Sequence, residues 1–163
     1  MFRYIRHDEH SGWSGFEEYF AYLASVEDRL GADLYAFAAD EDRYNLWSHK
    51  SLHDAWLRTL TLAPVSDQEQ TTGACLDLEF IGPYHDRLLR LRYEDVEKYS
   101  LQQPAKAWAK VQDLLMHELR FDEADGLIEH AFAFDADRTL FVACRAMSVE
   151  EIMLETDEAG ENG

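Results

Sequence analysis

Two His-Asp dipeptides, His53-Asp54 and His85-Asp86, are the residues whose types and spacing point most directly to chemistry. Neutral imidazole and carboxylate together form a ligand set for a divalent transition metal, and a carboxylate also orients a ligating histidine. A metal held by His53, Asp54, His85 and Asp86 would make a small metal-dependent hydrolase. Strand geometry works against this, because neighbours on a strand point to opposite faces and a His-Asp dipeptide is split between them. The competing reading gives each pair a structural role, with the aspartate turning the chain and accepting backbone hydrogen bonds. His7, His10, His117 and His130 are scattered and read as surface or satisfied core positions, and His117-Glu118 also divides between two faces of a strand.

The elements that would position these pairs alternate as strands do. A strand is expected from about Ala55 to Ala63, with Trp56, Leu60 and Leu62 facing one way, although Ser51 and Asp54 also fit the start of a short helix. A polar loop is expected over 64–72. From Gly73 to Ile81, Leu76, Leu78 and Phe80 share one face, while Cys75, Asp77, Glu79 and Ile81 share the other. The next strand sets Leu89, Leu91 and Tyr93 against Leu88, Arg90 and Arg92. The short Gly82-Pro83-Tyr84-His85-Asp86 link makes these two strands antiparallel neighbours, so Asp77 and Glu79 should meet Arg90 and Arg92 across the pair.

The rest of the chain supplies helices and a second hairpin. Ser14 and Glu17 have capping-box spacing, and Phe16, Tyr19, Phe20, Leu23, Val26 and Leu30 follow a helical period. One amphipathic helix over 14–30 is therefore expected, packed on the sheet and closed by Gly31 in a left-handed cap. Asp33 would cap a second, short helix ended by Asp40-Glu41-Asp42. Phe2 to Arg6 reads as a short edge strand or an ordered arm. Pro104 suits a short helix through Ala105, Trp108 and Val111. Strands are expected over 114–121, 127–134 and 139–146, and Ser148 with Glu151 suggests a capped helical turn. Strands following strands imply an α+β fold with an antiparallel sheet of about six strands. Residues 1–155 read as one domain and 156–163 as an acidic, disordered tail. Trp13, Trp47, Trp56 and Trp108 read as core or interface residues, or as the lining of a pocket.

Charge narrows the function. The 163 residues carry 33 Asp plus Glu against 15 Lys plus Arg, a formal charge of -18. Such a field repels phosphate backbones and anionic membranes, and favours a basic protein partner or a cation. It also keeps a protein soluble. The two cysteines, Cys75 and Cys144, lie far apart in apolar runs and read as buried, reduced thiols of a cytoplasmic protein. The N-terminal residues have no apolar signal-peptide core, and no apolar run approaches a membrane span. Glycine-rich nucleotide loops, H-E-x-x-H, G-x-S-x-G and zinc-ribbon spacing are all missing, so no cofactor is implied.

Two resemblances follow from these residues. His49-x3-His53-Asp54 is superficially similar to the HD phosphohydrolases, whose wholly helical fold departs from the strands expected here. The order Leu52-His53-Asp54, strand, polar loop, strand and Arg/Tyr-bearing strand, about 52–93, resembles small bacterial proteins of the Imm50-like immunity group. That resemblance implies an antiparallel sheet without catalytic activity and a role in binding and neutralising a toxin. Three readings result: a non-enzymatic acidic binding protein, a metal-dependent hydrolase, and a homo-oligomeric scaffold.

Overall fold

The computed structural model describes residues 1–67, 69–104 and 113–155. The helix expected after Pro104 (with Trp108) and the tail 156–163 lie outside the described residues. The chain begins with an arm over 1–5 and a small hairpin, β1 (Arg6–Asp8) and β2 (Gly12–Ser14). Three helices follow: α1 (Phe16–Ser25), α2 (Glu27–Leu30) and α3 (Ala32–Ala38), then a 3-10 turn over Glu41–Arg43. Among the described residues six strands follow: β3 (Trp56–Asp67), β4 (Gln70–Ile81), β5 (Arg87–Gln102), β6 (Leu114–Asp122), β7 (Leu127–Phe134) and β8 (Thr139–Met153). They form one antiparallel sheet in the order β3-β4-β5-β8-β7-β6. The fold is therefore α+β, with the helices near the N-terminus.

Several boundaries differ from the sequence expectation, each for a local reason. Ser14 does not cap the first helix, because it belongs to β2. The cap position is Gly15, at φ 90 with no side-chain capping bond. A β-carbon there would lie 2.1 Å from the Tyr4 carbonyl oxygen, so the close approach of the arm requires glycine. The expected 14–30 helix breaks at Val26. Ser25 Oγ donates to the Tyr22 carbonyl (2.6 Å), and the Val26 N–H turns to Leu23 instead (3.1 Å). Gly31 has the expected positive φ but an extended ψ of 160, and it, not Asp33, precedes α3 as the cap.

The expected loop over 64–72 is mostly strand. β3 runs to Asp67 and β4 starts at Gln70, so the connection is tight. Pro64 is tolerated because β3 is an outer strand. β5 continues past Tyr93 to Gln102, and the helical turn expected at Ser148 is strand. There, Arg92 lies opposite Ser148 and Arg90 opposite Glu150. Pairing with β5 overrides the capping-box spacing of Ser148 and Glu151. The expected Asp77–Arg92 and Glu79–Arg90 pairs form, with Arg90 Nε donating to Glu79 at 2.9 Å.

The sheet is rolled. β4 and β7 are separated by two strands, yet the Phe80 and Phe132 rings stand 5.7 Å apart. At one end the outer strands touch: the Asp54 N–H donates to the Leu114 oxygen (2.8 Å) and the Leu114 N–H to the Ala55 oxygen (2.9 Å). Leu76, Leu78, Phe80, Leu91, Tyr93, Leu140, Val142 and Phe132 fill the concave side beneath Tyr19, Leu23, Leu34 and Phe37 of the helices. Burying each large side chain contributes roughly 1.5–3 kcal/mol, so this contact holds the helices down.

The free edge of β6 is covered by hydroxyls of α1. Tyr19 Oη accepts from the Leu119 N–H (2.8 Å) and donates to the Leu119 oxygen (3.0 Å). One helical turn on, Tyr22 Oη does the same for Phe121 (2.9 and 3.0 Å). The N-terminal arm completes the cover. The fully buried Glu118 carboxylate accepts the N–H groups of Arg3 (2.8 Å), Tyr4 (3.0 Å) and Ile5 (2.8 Å), and also Arg120 Nη1 (2.5 Å). The arm is therefore ordered, while its strand starts only at Arg6.

Candidate functional site

The two His-Asp pairs sit at the same end of the sheet, at the start of β3 and in the β4–β5 turn, but they do not form one site. His53 Nδ1 lies 2.9 Å from its own neighbour Asp54. Asp86 instead binds His49, whose Nδ1 is 2.7 Å from Oδ2, and Arg87, whose Nε donates to Oδ1 at 3.1 Å. His85 packs its ring on Trp56 at 4.5 Å. Among the described residues no three His, Cys, Asp or Glu side chains are grouped to hold a metal.

Backbone geometry explains why histidine and aspartate stand here. Asp54 has φ 64 and His85 has φ 57, the left-handed region that Asp, Asn and His enter more readily than other side chains. In the turn before β5, the His85 N–H donates to the Gly82 oxygen (2.9 Å) and the Gly82 N–H to the Arg87 oxygen (3.0 Å). One member of each pair therefore turns the chain into a strand.

Asp86 anchors a chain of charges. Hydrogen bonds from Arg87 and then His49 hold its carboxyl down at about 2, against the effect of partial burial. Arg87 Nη1 continues to Glu151 (2.6 Å), which also accepts from Arg43 Nη2 (2.6 Å). Arg43 lies 3.7 Å from Asp40, which holds Lys50 at 3.2 Å. Burial works against ionisation of Glu151, but the bonds from Arg43 and Arg87 outweigh it and lower its pKa. This chain ties the 40–50 segment, the β4–β5 turn and the end of β8 together. Sequence reading missed Arg43, Arg87 and Glu151, which lie far apart in the chain.

An aromatic corner stands on this frame. Tyr84 stacks on His49 with ring centroids 3.9 Å apart, and its hydroxyl donates to the Trp47 oxygen at 3.5 Å. Trp47 is 83% exposed, Leu46 55% and Tyr84 46%. The signal in the sequence was Leu46-Trp47 between the turn-formers Asn45 and Ser48, an apolar pair with no strand or helix period to place it in a core.

A second polar constellation is sealed inside. Tyr93 Oη lies 2.8 Å from His130 Nδ1, and His130 Nε2 lies 3.1 Å from His117 Nδ1. The His117 ring stacks on Tyr44 at 4.9 Å. Burial, with Arg43 nearby, pushes the His117 pKa down to about 3, and burial with the neighbouring His117 and Arg120 holds His130 well below its ordinary value. Both rings are neutral at pH 7 and, at no more than 1% exposed, out of reach of a substrate.

No family model matches the chain, and no curated protein and no solved structure is significantly similar to it. No helix among the described residues is long and apolar enough to cross a membrane.

Proposed function

We propose that the chain is a non-enzymatic cytoplasmic binding protein that recognises a basic protein partner, in the manner of an immunity protein that neutralises a toxin. The observation that carries this reading is the disposition of charge. Nine arginines and both described lysines lie within 4.0 Å of a carboxylate. The cations are spent on internal pairing, so the surplus acid is left to face outward. On the outer face of the sheet, Asp77, Glu79, Arg90 and Arg92 neutralise one another. The unbalanced field must arise elsewhere, and a negative field steers a cationic protein toward it while repelling nucleic acid. The buried free thiols Cys75 and Cys144 suit a reducing compartment.

The test uses the chain immobilised on a sensor surface, with cationic nuclease domains and neutral proteins of equal size passed over it. The expected result is retention of a cationic domain, an affinity that falls as salt rises, and stoichiometric inhibition of its nuclease activity. Equal retention of cationic and neutral proteins would overturn the reading. So would a stoichiometric transition metal lost on replacing His53, Asp54, His85 or Asp86, together with phosphoesterase activity.

A further inference from the structure

A protein partner needs a point of attachment, and the Leu46–Trp47–Tyr84 corner has the properties of one. Single exposed apolar side chains are ordinary on protein surfaces. Here Leu46 and Trp47 are neighbours on a hydrogen-bonded turn, and the Tyr84 hydroxyl reaches the Trp47 backbone oxygen. Asn45 Oδ1 accepts the Trp47 N–H (3.0 Å), Asn45 O the Ser48 N–H (3.1 Å), and Ser48 O the Ser51 N–H (3.0 Å). The segment is closed by the Leu52 N–H donating to the Arg43 oxygen (2.9 Å). From the other side, Asp86 fixes His49, His49 stacks on Tyr84, and Tyr84 reaches back to Trp47. A partner landing here meets the Tyr84 ring already held by His49 and a Trp47 whose backbone is fixed, which lowers the ordering left to be done.

Local charge selects the occupant. The nearby cations are engaged: Lys50 by Asp40, Arg43 by Glu151, Arg87 by Asp86 and Glu151. Glu41 and Asp42, exposed in the same segment, have no cation partner among the described residues. A guanidinium stacks on an indole face, and exposed carboxylates without a cation partner in the same segment draw the cations that flank it. We propose that this corner is the docking surface for an arginine-bearing segment of a basic protein, with the guanidinium over Trp47 and flanking cations on Glu41 and Asp42. The proposal rests on the reading of the chain as an acidic binding protein and gives that reading a location.

The experiment titrates the intact protein with nona-arginine and nona-lysine peptides at about 150 mM salt, where weak surface attraction is screened, and follows tryptophan fluorescence and heat. Nona-arginine is expected to bind more tightly than nona-lysine. Trp47→Ala should weaken it at least about ten-fold, Trp47→Phe less than about three-fold, and Glu123→Gln, at the distant β6–β7 turn, not at all. Trp47 is exposed, so these variants keep the fold, checked by an unchanged melting curve. Equal binding to wild type and Trp47→Ala would remove the corner from the account while leaving the acidic-binder reading in place. Equal affinity for the two peptides would overturn the arginine assignment. No binding of either peptide to the wild type would defeat the reading and the proposal together. A wild-type dimer abolished by Trp47→Ala would make a second copy of the chain the occupant and overturn the proposal.

Discussion

Replacing Tyr19 with phenylalanine isolates the hydroxyl that covers the β6 edge. The ring keeps its volume, so no cavity opens. What is lost is the partner of both the Leu119 N–H and the Leu119 oxygen, in a place where Tyr19 and Leu119 are fully buried. A buried backbone group left without a partner costs about 1–3 kcal/mol, so two of them predict a loss of about 2–6 kcal/mol. Tyr22→Phe removes the same two bonds from Phe121, but Tyr22 and Phe121 are only partly buried and water can replace the hydroxyl. Its expected cost is about 1 kcal/mol. Urea unfolding of wild type and both variants, with amide exchange at Leu119 and Phe121, reads the difference directly. A Tyr19→Phe loss below about 0.5 kcal/mol, or equal losses for the two variants, would refute the idea that these hydroxyls stand in for a missing strand.

Acid should destabilise the protein early. The two buried histidines titrate near 6.5 when unfolded but far lower when folded, so only the unfolded chain takes up protons as pH falls below 6.5. Stability should then drop by about 1.4 kcal/mol per pH unit toward pH 3 on account of His117, or about 2 kcal/mol at pH 5, with His130 adding a loss of the same sign, and unfolding midpoints unchanged between about pH 7.5 and 5 would contradict it. Glu118→Gln leaves one acceptor oxygen where a carboxylate served three backbone N–H groups and Arg120. It should cost about 3–5 kcal/mol and expose the arm to proteolysis before the rest of the chain, so an arm that stays protected counts against this role. Gly15→Ala sets a β-carbon 2.1 Å from the Tyr4 oxygen at φ +90 and should lose more than about 2 kcal/mol. Gly126→Ala, with φ +69 and open space, should lose about 1 kcal/mol, and equal thermal shifts for the two would show that the arm yields.

The fold was legible wherever one face of a strand is buried and the other wet. Leu76, Leu78 and Phe80 alternate with Asp77 and Glu79, and that period fixed both the strand and its basic partner. It was illegible where both faces of a strand are exposed, as in β3 beyond Leu62 and β5 beyond Tyr93. No burial imprints a period there, and the strands persist through pairing with their neighbours. Capping-box spacing misled twice, at Ser14 and Ser148, because a short motif carries less free energy than a strand pairing. The His-Asp pairs drew attention as a ligand set, and Asp54 and His85 occupy left-handed turns, the kind of role the competing reading gave the pairs. Of the ends of the charge chain, His49 was visible as a spacing, whereas Asp86–Arg87–Glu151–Arg43 depends on tertiary contacts between residues up to 108 positions apart.

The cover over β6 also sets an order of events during synthesis. Tyr19 and Leu119 are 100 residues apart, and Arg3 and Glu118 are 115 apart. At about 5–20 residues per second, the first helix leaves the ribosome roughly 5–20 s before the strand it protects exists. For that interval the Tyr19 and Tyr22 hydroxyls have no β6 edge to bond, and a chaperone that shields amphipathic helices has its window. Any product that stops short of β6 leaves both hydroxyls without the backbone they cover, so the contact that seals a finished chain is missing from an incomplete one.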